Sequence, residues 1–150
     1  MNEQQLITDT IRRILQDQCT KATVDAAEAG VWPAGLWQTL EDNGLTLAGI
    51  SEASGGTGGE LAASLLIIRE AASVGAPLPL AETFIAARLC ELVGAQMPVG
   101  PVTVSGSAFT LTQEGAGYRL QGQAESVAFA NLCSTLIVVG SDASGAYLCL

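Results

Sequence analysis

The chain has 150 residues, of which 49% are hydrophobic and 14% charged, so it carries enough apolar material to fold and too little charge to be disordered. Fifteen acidic residues against six basic ones give a net charge of −9, which argues against nucleic acid and anionic membranes as partners. The absence of histidine excludes a self-contained Ser-His-Asp or Cys-His catalytic site. We expect one domain, or two small ones that share a core.

The four cysteines are isolated along the chain, at positions 19, 90, 133 and 149. Zinc sites need closely spaced pairs, so we expect no metal site and instead buried free thiols in a reducing compartment. The first ten residues lack the basic and apolar parts of a signal peptide. No apolar run approaches the roughly 20 residues of a membrane-spanning helix. These features predict a cytoplasmic protein that does not bind membranes.

Helical periodicity begins at the N-terminus. Residues 3–18 are predicted to form an amphipathic helix, with a core stripe of Ile7, Ile11, Ile14 and Leu15. Residues 19–31 show little periodicity and are predicted to be irregular. A second helix is expected from Pro33, which suits a first helical position, to the left-handed stop at Asn43-Gly44. Its predicted core residues are Trp37 and Leu40.

Two further helices follow a glycine-rich stretch. Residues 60–75 are apolar on nearly every side, which predicts a central helix packed all round, with a main stripe of Leu61, Leu65 and Ile68. After a proline-containing turn, residues 80–93 predict a fourth helix whose inward side chains are Ile85, Leu89 and Leu92.

The pattern then changes to the period of β-strands. Alternating residues on both sides of QEGAG, at 113–117, predict a hairpin, and two more strands are expected in STLIVVGS and AYLCL. The fold class is therefore α+β, with a helical module at 1–97 and a β module at 98–150. The last strand reaches the final residue without a closing turn, which is typical of a piece of something larger.

The stretch ISEASGGTGGELAAS raises the possibility of a phosphate-binding loop. A Walker A loop needs a lysine where Glu60 stands, and an acidic residue would repel a phosphate. The alternative is a capping box, in which Thr57 and Glu60 bond reciprocally to the backbone at the helix start. We favour the capped turn. Other carboxylates, such as those of Glu41, Glu70 and Glu91, are interpreted as surface charges, and no catalytic residue is assigned.

The order of features from residue 36 to residue 83 resembles the N-terminal part of an acyl-CoA dehydrogenase. That family has a short helix ending in glycine and then a G-L-x-x-x-x-x-P-E-x-x-G-G-x-G turn, matched here by Gly44-Leu45, Ser51-Glu52, Gly55-Gly56 and Gly58. Ser51 replaces the usual proline. A long apolar helix and a proline-containing turn follow in both. The helices-then-strands order also fits, since the family's middle domain is an antiparallel β-barrel.

The resemblance implies FAD-dependent α,β-dehydrogenation of an acyl-CoA thioester, with a flavoprotein as electron acceptor. It also implies that the base and most FAD-clamping residues belong to a C-terminal helical domain or to a partner. The family's flavin-contacting K-x-W-I-T segment falls near Ser126, Val127 and Ala128, without its tryptophan and threonine. The acyl tail is expected to border Leu80, Thr83 and Phe84, which read equally well as ordinary core residues.

Some bacterial members of the family are heterotetramers in which only one subunit type keeps the full flavin and base set, notably in steroid side-chain breakdown. The departures above suit the other type, so the partner is expected to be a second dehydrogenase subunit or another copy of the chain. A non-catalytic assembly module with the same fold is the alternative. An acyl-CoA oxidase or a related flavin monooxygenase shares the same front half.

Overall fold

The structure is a computed structural model that describes residues 3–150. The helices are α1 (Glu3–Gln18), α2 (Lys21–Glu28), α3 (Ala34–Asp42), α4 (Leu61–Ser73) and α5 (Leu80–Val93), with a short 3-10 turn at Glu52–Ser54. The strands are β1 (Val102–Glu114), β2 (Gly117–Gln121), β3 (Thr135–Asp142) and β4 (Gly145–Cys149). The predicted α+β class and the order of helices before strands are confirmed.

The main core lies between α1, α3 and α4. Ile11, Leu40 and Ile67 are completely buried there, one from each helix. The predicted stripe of α1 is confirmed, with its outermost member only partly buried, and so are the two predicted core residues of α3. In α1 and α3, which bury one face, hydrophobic periodicity therefore predicted the core residues correctly.

The irregular structure predicted for residues 19–31 is wrong, because this stretch contains α2. The helix buries no residue and so has no apolar stripe to read from the sequence. Its start is fixed locally, since the Thr20 hydroxyl accepts a hydrogen bond from the Thr23 backbone N–H at 3.3 Å.

The predicted inward faces of α4 and α5 are wrong in part: Ile68 and Leu89 pack against the core clusters, but the other four predicted side chains are exposed. Leu65 is 57% exposed, Ile85 52% and Leu92 82%. Small side chains occupy most of the buried faces instead: Ala63, Ser64 and Ala71 on α4, and Ala86, Ala87 and Cys90 on α5. A helix that is apolar all round gives no direction from periodicity, and small residues let neighbouring elements approach closely. The result is a pair of helices with an exposed apolar side.

The four strands form one open sheet in the order β2-β1-β3-β4. The predicted hairpin is confirmed, since β1 and β2 pair antiparallel, as do β3 and β4. The central pair, β1 with β3, is parallel, so the sheet is mixed and not purely antiparallel, and it is not closed into a barrel. Alternation identifies a strand but not the direction of its neighbour.

The sheet is joined to the helices through α5. A second core cluster contains Ala86 and Cys90 from α5, Val102 from β1 and Ile137 from β3, each completely buried. The Thr83 hydroxyl also donates to the Val102 carbonyl at 3.1 Å and accepts from the Val102 N–H at 3.4 Å. The division at residues 97 and 98 into two domains stays a prediction.

All four cysteines are free thiols, but only Cys90 is buried, so the expectation of buried thiols is wrong for the other three. Partial burial of Cys133, with a smaller effect of Glu82, raises the pKa of this thiol to about 11, which keeps it protonated and unreactive. Within residues 3–150 no helix is both long enough and apolar enough to cross a bilayer.

Candidate functional site

The glycine-rich stretch packs its backbone against itself. At Gly56 an added Cβ would collide with the Ile50 carbonyl and lie 2.6 Å from the Ile50 Cβ. At Gly49, where φ is +82°, it would lie 2.5 Å from the Glu60 carbonyl oxygen. Two backbone hydrogen bonds of 2.8 Å hold this turn, from Gly49 N–H to Gly58 O and from Gly58 N–H to Ile50 O. These glycines permit close backbone approach.

The predicted capping box is absent from this turn. Glu60 is the N-cap of α4, and its side chain makes no capping hydrogen bond. The Thr57 hydroxyl donates instead to the Gly44 carbonyl across a long 3.4 Å. The Thr57-to-Glu60 spacing suggested a cap with Thr57 as the N-cap, but the N-cap is Glu60, so the helix begins three residues later than that motif requires. The stretch is a tightly packed turn without a reciprocal cap.

Ser51 ties this turn to the end of α5. Its backbone N–H donates to Glu91 Oε1 at 2.5 Å, and Arg88 binds the other carboxylate oxygen. The Ser51 N–H, with help from Arg88, holds the pKa of Glu91 below its ordinary value. Ser51 has a φ of −63°, which proline would also adopt, but proline could not donate this bond. Serine in place of the expected proline thus adds a hydrogen bond between the glycine-rich turn and α5. Glu91 was interpreted as a surface charge, but it is the acceptor of this bond and the partner of Arg88.

Two hollows lie on different sides of α5. The first, called the α4–α5 groove, has a volume of about 350 Å³ and is lined by Leu61, Ser64, Leu65, Ile68, Ala81, Phe84, Ile85, Arg88 and Leu89. Nearly all of its lining is aliphatic or aromatic, and its only charged side chain, Arg88, is paired with Glu91. The groove suits an apolar chain or ring system.

The second hollow, called the Trp37 cleft, has a volume of about 410 Å³. It lies between α3, the glycine-rich turn and the α5–β1 connection, and includes Trp37, Glu41, Thr46, Thr57, Thr83 and Met97 in its lining. It differs from the groove in offering hydroxyl and carboxylate groups beside its apolar walls.

The three residues predicted to border an acyl tail are all buried, but the structure does not bring them to one surface. Phe84 lines the α4–α5 groove, whereas Thr83 lines the Trp37 cleft and is bonded to Val102. Leu80 is 2% exposed and packs in the main core. Of the three, Phe84 is the one placed to touch an apolar ligand in the groove.

The residues predicted to contact flavin lie in the connection between β2 and β3. Ser126 has a φ of +56° and is exposed, as is Ala128, whose carbonyl accepts a hydrogen bond from Thr103 at 2.6 Å. Residues 98–150 contain one basic residue, Arg119, and it is paired with Glu114 at 2.7 Å. FAD carries a pyrophosphate that needs positive or N–H-rich surroundings. The β module by itself therefore offers no unpaired basic side chain to the pyrophosphate of FAD.

Glu70 on α4 is a buried carboxylate, not the surface charge that was expected. Arg12 from α1 binds both its oxygens, at 2.7 and 3.1 Å, and Arg69 adds a contact of 2.6 Å. Arg12, and then Arg69, lower the pKa of Glu70. A base that works near neutrality needs a raised carboxylate pKa, so this cluster is structural. The sequence did contain a signal for this cluster, because Arg69 and Glu70 are adjacent charged residues in an otherwise apolar helix.

Comparison with known proteins identifies the family. Residues 1–96, more than half of the chain, match the family described as "Acyl-CoA dehydrogenase, N-terminal domain". No curated protein sequence matches the chain.

Two solved structures share the fold. One is a chain of the ChsE4-ChsE5 complex from Mycobacterium tuberculosis, with a TM-score of 0.77 and 19% identity over 99% of this chain. The other is a chain of the "Tcur3481-Tcur3483 steroid ACAD G363A variant", with a TM-score of 0.75 and 24% identity over 97% of this chain. In both cases the chain spans 46% of the length of the protein that it matches. The helical front, the glycine-rich turn and the fold agree, and the chain belongs to the acyl-CoA dehydrogenase family.

Proposed function

We propose that the chain is part of an FAD-dependent acyl-CoA dehydrogenase and that it holds the acyl portion of the CoA thioester in the α4–α5 groove. The observation that carries this proposal is the groove itself, an apolar hollow on two helices of the family's N-terminal domain. Its volume of about 350 Å³ is that of a small-molecule site. The flavin and the base that removes the α-proton belong to a partner subunit or a further domain.

The proposal of a partner rests on two observations. Residues 98–150 offer one basic side chain, already paired, so a flavin pyrophosphate would need groups from elsewhere. Both structural neighbours described above carry the names of two proteins, and the first is described as a complex. One of them is described as a steroid dehydrogenase, which makes a steroid-bearing acyl-CoA the first substrate class to test.

The test uses the chain co-expressed with a flavin-bearing dehydrogenase subunit, assayed with a steroid acyl-CoA and an artificial electron acceptor. Ile85 lines the groove and is half-exposed, so Ile85→Ala should leave the fold intact. We expect it to lower kcat/KM about tenfold, since losing apolar contact in a pocket costs at least that much. Leu92→Ala is the matched control, because Leu92 lies on the same helix, is 82% exposed and does not line the groove.

Three results would contradict the proposal. Stoichiometric flavin in the chain expressed alone would remove the need for a partner. An active complex whose kcat/KM is unchanged by Ile85→Ala would place the acyl portion elsewhere. A complex that assembles but turns over no acyl-CoA would favour a non-catalytic assembly module.

A further inference from the structure

The Trp37 cleft has the features of a ligand site that is separate from the α4–α5 groove. Two adjacent residues of α5 line different hollows: Thr83 lines the Trp37 cleft and Phe84 lines the α4–α5 groove. The cleft volume of about 410 Å³ lies within the roughly 300–1,000 Å³ of small-molecule pockets. Its lining combines apolar walls with a few polar groups, which is the usual composition of such sites.

The cleft contains polar groups that no described part of the chain satisfies. Thr46 is only 6% exposed and lines the cleft, yet its hydroxyl makes no hydrogen bond to any residue of 3–150. The Thr46 hydroxyl therefore opens onto the cleft, whereas the indole N–H of Trp37, another lining residue, is buried and has no hydrogen-bond partner within the described residues. Glu41 is half-buried and also lines the cleft, and its carboxylate has no ion pair or hydrogen bond within the same residues. Both groups are free to bind a ligand.

The charges of the lining select the class of ligand. Neither lysine nor arginine lines the cleft, and Glu41 would repel a phosphate or a carboxylate. Trp37 is the only aromatic side chain in the lining, so there is no aromatic cage for a quaternary ammonium ligand. The remaining walls, including Leu47 and Met97, favour an apolar body. The ligand should therefore be neither an anion nor a quaternary ammonium ion and should have an apolar body. An uncharged apolar molecule with a hydroxyl group has these properties.

We propose that the Trp37 cleft is a second ligand site, which binds an uncharged apolar alcohol through the Glu41 carboxylate and the Thr46 hydroxyl. The hydroxyl group of the alcohol donates a hydrogen bond to the Glu41 carboxylate and forms a second hydrogen bond with the Thr46 hydroxyl, while its carbon skeleton contacts Trp37. This site does not depend on the function proposed for the groove, because it uses different residues on the other side of α5.

The first experiment compares two steroids of nearly the same shape, testosterone and androst-4-ene-3,17-dione, which has a ketone in place of the hydroxyl. The chain has two tryptophans, so Trp32→Phe leaves Trp37 as the only indole reporter. We expect saturable quenching of Trp37 fluorescence by testosterone. The dione, which cannot donate a hydrogen bond from that position, should bind about tenfold more weakly.

The second experiment tests the residues in the Trp32→Phe background. Glu41→Ala and Thr46→Val should each weaken testosterone binding about tenfold, the value of a hydrogen bond in a buried site. Thr46→Ser keeps the hydroxyl and should bind as the parent does. Glu28→Ala removes an exposed carboxylate of α2 and should have no effect. Circular dichroism confirms that each variant is folded.

Several results would overturn the proposal. These are no saturable binding of testosterone, equal affinity for the two steroids, or unchanged affinity in Glu41→Ala. Weakened binding in Ile85→Ala would place the steroid in the α4–α5 groove instead. All four results are independent of acyl-CoA turnover, so they do not bear on whether the chain serves a dehydrogenase.

Discussion

Gly56 shows how a single missing side chain sets the path of the glycine-rich turn. A Cβ there would collide with Ile50, whereas a Cβ at Gly35, in the first turn of α3, would meet nothing within 4 Å. We expect Gly56→Ala to destabilise the chain by about 2 kcal/mol, because the backbone must shift to relieve the overlap. Gly35→Ala should stabilise it by about 0.5 kcal/mol, since alanine favours helix.

Urea denaturation followed by circular dichroism measures both changes. The pair is a matched control, because each variant adds one methyl group at a glycine. Equal midpoints for Gly56→Ala and the parent chain would show that the turn can open without cost. The glycines would then not explain why the turn has its observed shape.

Among the elements, α1 and α4 are tied by Arg12 and Glu70. The Glu70 side chain is 8% exposed and that of Arg12 is 53% exposed, so the arginine stays hydrated when its partner is removed. We therefore expect Glu70→Gln to cost only about 1 kcal/mol at neutral pH. Glu28→Gln, on the exposed face of α2, is the control and should be neutral.

The contribution of Glu70 should disappear in acid. Its pKa in the folded chain is lowered by Arg12 and Arg69, so its stabilising effect is complete above the unfolded-state pKa of about 4.3. The effect is lost as the pH falls through the lower folded value. Urea midpoints of the parent and of Glu70→Gln should differ at pH 7 and converge in strong acid. A difference that persists there would mean that the ion pair is not its source.

The sequence predicted elements well where burial leaves a pattern and poorly where it does not. α1 and α3 bury one stripe of large side chains, so their core residues could be identified. α2 buries nothing, whereas α4 and α5 bury a mixture of small and large side chains and leave other large ones, such as Leu65 and Leu92, exposed. Periodicity of large apolar residues therefore could not show which side of α5 holds Thr83 and which holds Phe84. The two candidate sites are distinguished by these sides of α5, since Thr83 lines the Trp37 cleft and Phe84 lines the α4–α5 groove.

For the whole molecule, the α+β class followed from the change of period near residue 100, and the family from the spacing of the glycine-rich turn. The parallel pairing of β1 with β3 could not be predicted, because alternation is the same for either direction. The Trp37 cleft could not be predicted from the sequence either, because its lining residues come from different segments. Glu41 lies in α3, Thr46 follows α3, and Met97 lies between α5 and β1. Sites that form between segments need the packed structure.

The coupling of helices to sheet depends on a hydrogen-bonded link at Thr83. Its hydroxyl binds both the N–H and the carbonyl of Val102, and both residues are almost fully buried. Thr83→Val keeps the shape but leaves two buried backbone groups without partners, and we expect it to cost about 2 kcal/mol. Thr83→Ser keeps the hydroxyl and loses one methyl group, so it should cost about 1 kcal/mol.

The loss of stability in Thr83→Val should affect the sheet more than the helical core, because the hydrogen-bonded link joins α5 to β1. In Thr83→Val, amide hydrogen exchange of β1 and β3 should become faster than that of α1 and α4, while in the parent chain the slowest amides of both layers exchange together. Mass spectrometry of peptides from each layer measures this difference. Uniform acceleration in both layers would mean that Thr83 stabilises the molecule without coupling its parts, and that the packing of Cys90 and Ile137 alone holds the sheet on the helices.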